Sequence, residues 1–195
     1  MIRPSASITP EYFEEMFRQT EDPWDLETST YEREKYAHTI GVLGNRTYEN
    51  ALELGCAKGV LTQMLAPHCD KLLAVDVSPT ALRAARARCA AIGHVSFARM
   101  AFPGLAPAPS FDLVVLSEVA YYWSDPDLQE AARWLGSHVT PNGEVLLVHW
   151  TGATDYPQSG DEAVLKLRTM LGTRVEVLAA DRMPHYRLDL WRLLP

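Results

Sequence analysis

Apolar and polar positions follow two rhythms along this chain, and each rhythm predicts its own kind of element. Short apolar runs recur at Ala51–Leu54, Lys71–Val77, His94–Met100, Phe111–Glu118 and Glu144–Trp150. Between them the apolar residues repeat at helical spacing. Val60 to Ala66 is one such stretch. Leu82, Ala85, Cys89 and Ile92 follow the cap Ser78-Pro79, and Leu128, Ala131, Leu135 and Val139 follow Asp125-Pro126, read as the next cap. Strand and helix in turn are the mark of a parallel α/β sheet. Phe111–Glu118 is apolar almost throughout, as a central strand buried on both faces must be.

Both ends extend this plan. Ser159-Gly160-Asp161-Glu162 is a capping box opening a helix with Val164, Leu167 and Leu171 inward. Arg174–Ala179 and Tyr186–Leu193 alternate as strands. A loop of a few residues around Met183-Pro184 joins them, which predicts an antiparallel pair and brings the count to seven strands. Residues 1 to about 48 read as helical. Thr9 caps a first helix with Pro10 at its first position; Tyr12, Phe13, Met16 and Phe17 form its apolar face. Asp22-Pro23-Trp24-Asp25 breaks it. The box Ser29-Thr30-Tyr31-Glu32 opens a second helix to about Leu43, with Tyr36, Ile40 and Leu43 inward. Such an arm either packs on the sheet or closes as a lid. Trp24 and Tyr31, beside a capped helix bearing Arg33 and Lys35, favour the lid. The reading is one domain over 1–195, with 1–48 as arm and 49–195 as core.

Composition narrows the function classes. A chain of 195 residues, 47% hydrophobic, supports a sizeable core. Its net charge of −7 argues against nucleic acid and for a neutral or cationic substrate. Cys56, Cys69 and Cys89 form no C-x-x-C pair, so no disulfide framework or zinc site is expected, and the setting reads as reducing and cytoplasmic. Met1-Ile2-Arg3-Pro4-Ser5 lacks an apolar signal core, and no run approaches membrane-spanning length, so no membrane insertion is expected.

The chemistry centres on Ala51-Leu52-Glu53-Leu54-Gly55-Cys56-Ala57-Lys58-Gly59. Strand, glycine turn and helix make a nucleotide-binding unit, where glycine lets the backbone approach a ligand and the helix start offers free N–H groups. Phosphate loops read G-x-G-x-x-G. Here Glu53 would face a pyrophosphate as anion against anion, so it suits a ligand with local positive charge. The plain alternative is a tight turn with no ligand. Asp76 ends the second strand, 17 residues beyond Gly59, where an acid accepts ribose hydroxyls in dinucleotide folds; its plain alternative is an N-terminal charge for the next helix.

Glu53, Gly55 and Gly59, with Ala57 where a middle glycine is common, resemble motif I of the class I S-adenosylmethionine-dependent methyltransferases. The Asp76 strand end, Phe111-Asp112-Leu113-Val114-Val115 before Ser117-Glu118, and Thr140-Pro141-Asn142-Gly143 follow in that family's order. The arm, Asp22-Pro23-Trp24 and Ser29–Tyr36, is similar to that of the nodulation protein S group, as are His149-Trp150-Thr151-Gly152 and Asp155–Asp161. The resemblance implies a Rossmann-like class I methyltransferase fold: a seven-stranded, mostly parallel sheet, the last strand antiparallel beside the fifth, plus the helical arm. It implies S-adenosylmethionine as cofactor, S-adenosylhomocysteine as product, no metal, and an amino-sugar oligosaccharide as substrate. The reaction would be N-methylation of the free amine of a deacetylated chitooligosaccharide in Nod factor synthesis.

The same resemblance distributes the residues. Glu53, Gly55, Cys56, Ala57 and Gly59 hold the amino-acid end of the cofactor. Asp76 takes the ribose, Val77, Met100 and Ala101 flank adenine, and Trp24 and Arg33 come from the arm, Arg33 toward the carboxylate. Ser117 and Glu118 lie at the switch point of the sheet. Tyr121, Tyr122, Trp123, Trp150 and Tyr156 follow strand ends, where aromatics stack on sugars or serve as ordinary packing. His149, whose unperturbed pKa is near neutral, is the general-base candidate; Tyr121 and Glu118 are rivals, and water is a third possibility. Other classes stay open: a nicotinamide oxidoreductase, a non-catalytic cofactor-binding module, and an O- or N-methyltransferase of another small metabolite.

Overall fold

The first strand, β1 (Ala51–Leu54), is four residues long and buried at every position, which is why its sequence shows no alternation. The computed structural model describes residues 3–195. Met1 and Ile2, part of the stretch read above for a signal core, lie outside the described residues. Among the described residues, six α-helices and seven strands follow the predicted order: α1 (Pro10–Gln19), α2 (Thr30–Gly41), β1, α3 (Val60–Leu65), β2 (Leu72–Asp76), α4 (Pro79–Arg88), β3 (Val95–Arg99), β4 (Phe111–Ser117), α5 (Asp125–His138), β5 (Val139–Trp150), α6 (Gly160–Leu171), β6 (Val175–Arg182) and β7 (Tyr186–Leu193). The strand order is β3-β2-β1-β4-β5-β7-β6.

The chain divides into two compact units. One is Thr9–Met100, and the other joins the residues up to Ile8 with Ala101–Pro195. In the first, β1 pairs with β2 and β2 with β3, all parallel. Cys56, Ala74, Leu82 and Ala85 form part of its core, with Phe97 against them. From Thr9 on, the arm belongs to this unit. Glu14 on α1 accepts from the Ser78 hydroxyl at 2.6 Å and from the Thr80 hydroxyl at 2.8 Å and amide at 3.1 Å. It sets a carboxylate at the N-terminus of α4, where the helix dipole favours one. Tyr12, expected inward, is 42% exposed because α1 turns Glu14 and Phe17 inward instead. Thr9 occupies the cap position without a side-chain bond. Ser29 caps α2 through the Glu32 amide, but the Glu32 carboxylate bonds Lys35 rather than closing the box.

In the second unit β4 and β5 are parallel, while β7 runs antiparallel to both β5 and β6. Thr140-Pro141-Asn142-Gly143 lies inside β5 rather than before it. The register with β4 jumps from Phe111↔Val139 to Leu113↔Glu144, and Asn142 has φ of 63°. This is a bulge, with the extra residues taken up on one strand. Ser124, not Asp125, caps α5, accepting from the Asp127 amide. The Ser159–Glu162 capping box is complete.

Candidate functional site

The turn after β1 is built on left-handed residues. Gly55, Ala57 and Gly59 have φ of 75°, 46° and 77°. Gly59 is required twice over: a Cβ there would lie 3.0 Å from the Ala85 Cα and Cβ, besides the left-handed backbone. Ala57 holds its strained conformation because its amide donates to Asp76 Oδ2 at 2.9 Å. The other oxygen, Oδ1, accepts from the Ser78 amide at 2.8 Å. Asp76 thus ties the motif turn to the start of α4. Both backbone bonds favour its charge, but burial outweighs them and pushes its carboxyl above the ordinary range.

Glu53 is 1% exposed, and its Oε2 accepts the Thr62 hydroxyl at 2.5 Å. Burial lifts its pKa from 4.5 to about 7, against the pull of Thr62 and with the help of the Asp76 charge. Two buried carboxylates at one turn repel each other and are poorly solvated, so a cationic ligand suits them. The Cys56 thiol, buried beside them, is pushed well up by desolvation and by both acids, and stays protonated. Lys58, 6% exposed, pairs at 2.6 Å with Glu27, which Arg88 also holds at 2.7 Å. The Lys58 hydrogen bond, with the Arg88 charge, keeps Glu27 below the usual carboxylate range. The arm is therefore fastened to this unit at Glu14 and again at Glu27.

The second unit gathers a different set. Glu118 follows β4 with φ of 57°, its amide bonded to Val148 O at 2.8 Å. Its Oε2 accepts the Tyr121 hydroxyl and the Trp150 amide, each at 2.8 Å. Tyr121 sits in a single helical turn, Ala120–Tyr122. Its ring stacks on Tyr156 at 5.5 Å and meets Tyr122 and His149 edge-on at 4.6 and 5.4 Å. His149 is wholly buried, and its Nε2 accepts from the Ala120 amide at 3.1 Å. Burial first, then the Glu118 charge, pushes the Tyr121 phenol well above its ordinary value.

The family model for nodulation protein S (NodS) matches residues 13–171. The chain belongs to the NodS family. It is 38% identical over 129 residues to nodulation protein S of Bradyrhizobium diazoefficiens, covering 65% of this chain and 61% of that protein. It is 34% identical over 128 residues to nodulation protein S of Sinorhizobium fredii, covering 65% and 59%. The matches thus span about three fifths of the length of these curated relatives. Its structure is similar to that of the N-methyltransferase NodS from Bradyrhizobium japonicum WM9, solved in complex with S-adenosyl-L-homocysteine. The TM-score is 0.83 at 25% identity, over 95% of this chain and 99% of that one. The fold is the Rossmann-like class I methyltransferase fold of the NodS structures.

The structure brings some of the predicted residues together and leaves others apart. Glu53, Gly55, Cys56, Ala57 and Gly59 lie on β1 and the turn after it, and Asp76 reaches that turn from the end of β2 through the Ala57 amide. Val77 and Met100 are half-buried, and the Met100 amide donates to Asp76 O at 3.0 Å. Trp24 packs edge-on against Phe17 at 5.4 Å. Arg33 lies on the exposed face of α2 and bonds Thr30, whereas Lys35, one turn-face away, is buried against Glu32 at 2.9 Å. In the other unit Ala101 is exposed and Ser117 half-buried. Glu118, Tyr121, Tyr122, His149 and Tyr156 come together, while Trp150 stacks on His185 at 5.4 Å. Tyr121, Tyr122 and Trp123 are buried, so Tyr156 and Trp150 are the aromatics with surface left. Sequence reasoning missed Glu14, Glu27 and Gln158. Gln158 donates its amide to Tyr121 O at 3.1 Å and its side chain to Asp125 at 2.9 Å. Their partners lie tens of residues away, so no local spacing marks them.

Proposed function

We propose that this protein is an S-adenosylmethionine-dependent N-methyltransferase acting on the free terminal amine of a deacetylated chitooligosaccharide, in Nod factor synthesis. The observation that carries the reading is the pair of buried carboxylates, Glu53 and Asp76, at a left-handed glycine turn in a chain of the NodS family. Two anions suit a sulfonium and an ammonium, and they oppose the diphosphate of a nicotinamide cofactor. When bound, S-adenosylmethionine supplies a methyl group already activated by its sulfonium. The protein's part is then to bind and orient. Glu53 and the Gly55–Gly59 turn would hold the amino-acid end, and Asp76, with lone pairs beyond its backbone bonds, would take the ribose hydroxyls. Neutral amine and methyl carbon must be held in line about 3–3.5 Å apart. An acetylated nitrogen is excluded by chemistry, because its lone pair is delocalised into the carbonyl. Three buried free cysteines fit a reducing cytoplasm.

The test is methyl transfer to chitooligosaccharides with and without a free terminal amine, read by mass spectrometry. Methylated nitrogen on the deacetylated oligomer alone is the expected result. Methyl on oxygen, or equal methylation of both oligomers, overturns the reading and favours an O-methyltransferase.

A further inference from the structure

We infer that Glu14, on α1, is a positioning residue for the cofactor site: by holding Ser78 it fixes the Asp76 carboxylate and leaves that carboxylate's spare lone pairs to the ligand. This rests on the reading above in which Asp76 takes the ribose hydroxyls. Glu14, Ser78, Asp76 and the motif turn all lie in the Thr9–Met100 unit. An amphipathic helix has no apolar reason to turn a glutamate inward, and α1 does so while Tyr12 stays 42% exposed. The glutamate gains donors there. The Ser78 hydroxyl reaches its Oε2 at 2.6 Å, the Thr80 amide reaches the same oxygen at 3.1 Å, and the Thr80 hydroxyl reaches Oε1 at 2.8 Å. Arg18, one turn on, lies 3.7 Å from Oε1. Burial works against the charge, but these bonds and the Arg18 charge outweigh it and keep the Glu14 carboxyl below its ordinary range.

Ser78 carries the effect to Asp76. It is fully buried. Its hydroxyl gives its hydrogen to Glu14, the hydroxyl oxygen accepts the Ala81 amide at 3.0 Å, and the Ser78 amide donates to Asp76 Oδ1 at 2.8 Å. Two carboxylates therefore flank one serine and divide its donors between them. A hydroxyl has one hydrogen to give. Given to Glu14, it is withheld from Asp76. Without Glu14 that hydrogen is free to turn to Asp76, two residues back, and to take up a lone pair that the ligand needs. Asp76 Oδ2 meanwhile accepts the Ala57 amide at 2.9 Å, so the carboxylate that Glu14 steadies is also the one that ties down the motif turn. Burial raises the Asp76 carboxyl and the Glu14 charge adds to it, so the two acids sense each other across Ser78. A carboxylate already oriented when the ligand arrives costs less to order on binding.

Capping of α4 does not require this arrangement. Ser78 already caps the helix through the Ala81 amide. A carboxylate placed only for the helix dipole would be served by the Thr80 amide and hydroxyl. The bond from the Ser78 hydroxyl is the one that leads to Asp76. The two roles are therefore separable: Thr80 carries the anchoring of α1, and Ser78 carries the positioning of Asp76.

The test is a double-mutant cycle on S-adenosylhomocysteine affinity, read by titration calorimetry on the full chain with thermal melting alongside. E14A removes the acceptor. E14M removes it too but keeps the bulk and the helix propensity, so a folding defect of E14A does not decide the result. Both should weaken S-adenosylhomocysteine about tenfold, within the usual range of coupling between residues in one hydrogen-bond network. E14Q still accepts the Ser78 hydroxyl and should stay within about threefold of wild type. T80V loses the Thr80 hydroxyl bond but not the Ser78 bond, and should bind as wild type does. In a D76A background E14M should cost less than about twofold, because the group it positions is gone. The inference is overturned if E14M binds as tightly as wild type, if T80V loses as much affinity as E14M, or if E14M costs as much with D76A as without it. D76A that binds as tightly as wild type overturns the ribose reading itself, and the inference with it.

Discussion

Replacing Glu53 by glutamine should remove a pH dependence of stability that the wild type shows. Glu53 titrates near 7 in the folded protein because burial penalises its charge. In the unfolded chain it returns to an ordinary value of 4.5. Between those values the native state binds the extra proton, so stability must fall as pH rises. Below the unfolded value the contribution is fully present, and above the folded value it is lost. A displacement from 4.5 to about 7, at about 1.4 kcal/mol per pH unit, is worth roughly 3 kcal/mol. Glutamine keeps the shape and can accept the Thr62 hydroxyl, but it has no proton to lose. Asp76 is coupled to Glu53 and remains in both proteins, so the difference between them reports the protons bound by the pair. Urea unfolding at about pH 5 and about pH 8 should show wild type losing about 2.5 kcal/mol more than E53Q across that interval. Parallel pH dependences in the two proteins would refute the burial argument.

The same proton governs ligand affinity. A cation beside Glu53 favours its ionised form, so binding should expel a proton below about pH 7. Affinity for S-adenosylmethionine should then weaken by up to about tenfold for each pH unit below that point. Calorimetry in buffers of different ionisation enthalpy reads the proton directly, and a buffer-independent enthalpy at pH 6 would contradict it.

Three further outcomes are expected. Ala57→Gly relieves a left-handed alanine and should stabilise the protein by about 1 kcal/mol, whereas Gly59→Ala meets Ala85 as well as the backbone penalty and should destabilise it by more than that; melting curves of both variants check the contrast. Asp76→Ala should weaken S-adenosylhomocysteine binding by roughly 1–3 kcal/mol in titration calorimetry, and unchanged affinity would remove Asp76 from the site. Glu27→Gln leaves Lys58 buried without its carboxylate, so amide exchange over residues 22–29 should quicken, and S-adenosylhomocysteine should slow it again if the arm closes as a lid; protection unchanged in every state would make the arm plain packing.

The fold was legible because its signals are local. Apolar runs, capping serines and the short link between β6 and β7 each act within a few residues, and the order they imply leaves few topologies. What was misread involved a choice between two local partners. Glu32 had Ser29 and Lys35 within reach and took Lys35, because a buried ammonium gains more from a carboxylate than an amide near water does. Asp125 and Ser124 both suit a cap; the backbone put Ser124 at the extended position and Asp125 in the first turn.

The site was legible to different depths in the two units for a physical reason. The motif turn is built on unusual backbone, glycine at Gly55 and Gly59, with a carboxylate at a strand end, all visible as residue types at fixed spacing. In the second unit, the chemistry open to a side chain depends on which of its polar atoms already have partners. His149 and Glu118 are each sensible proton acceptors as residue types. Only the Ala120 amide lying on His149 Nε2, and the Tyr121 hydroxyl and Trp150 amide converging on Glu118, separate a buried ring with that nitrogen engaged from a half-buried carboxylate. Those bonds span up to 32 residues and depend on the αL turn at Glu118. A sequence therefore reports where chemistry is placed, while the assignment of proton donors and acceptors follows from hydrogen bonds that form only when the strands are paired.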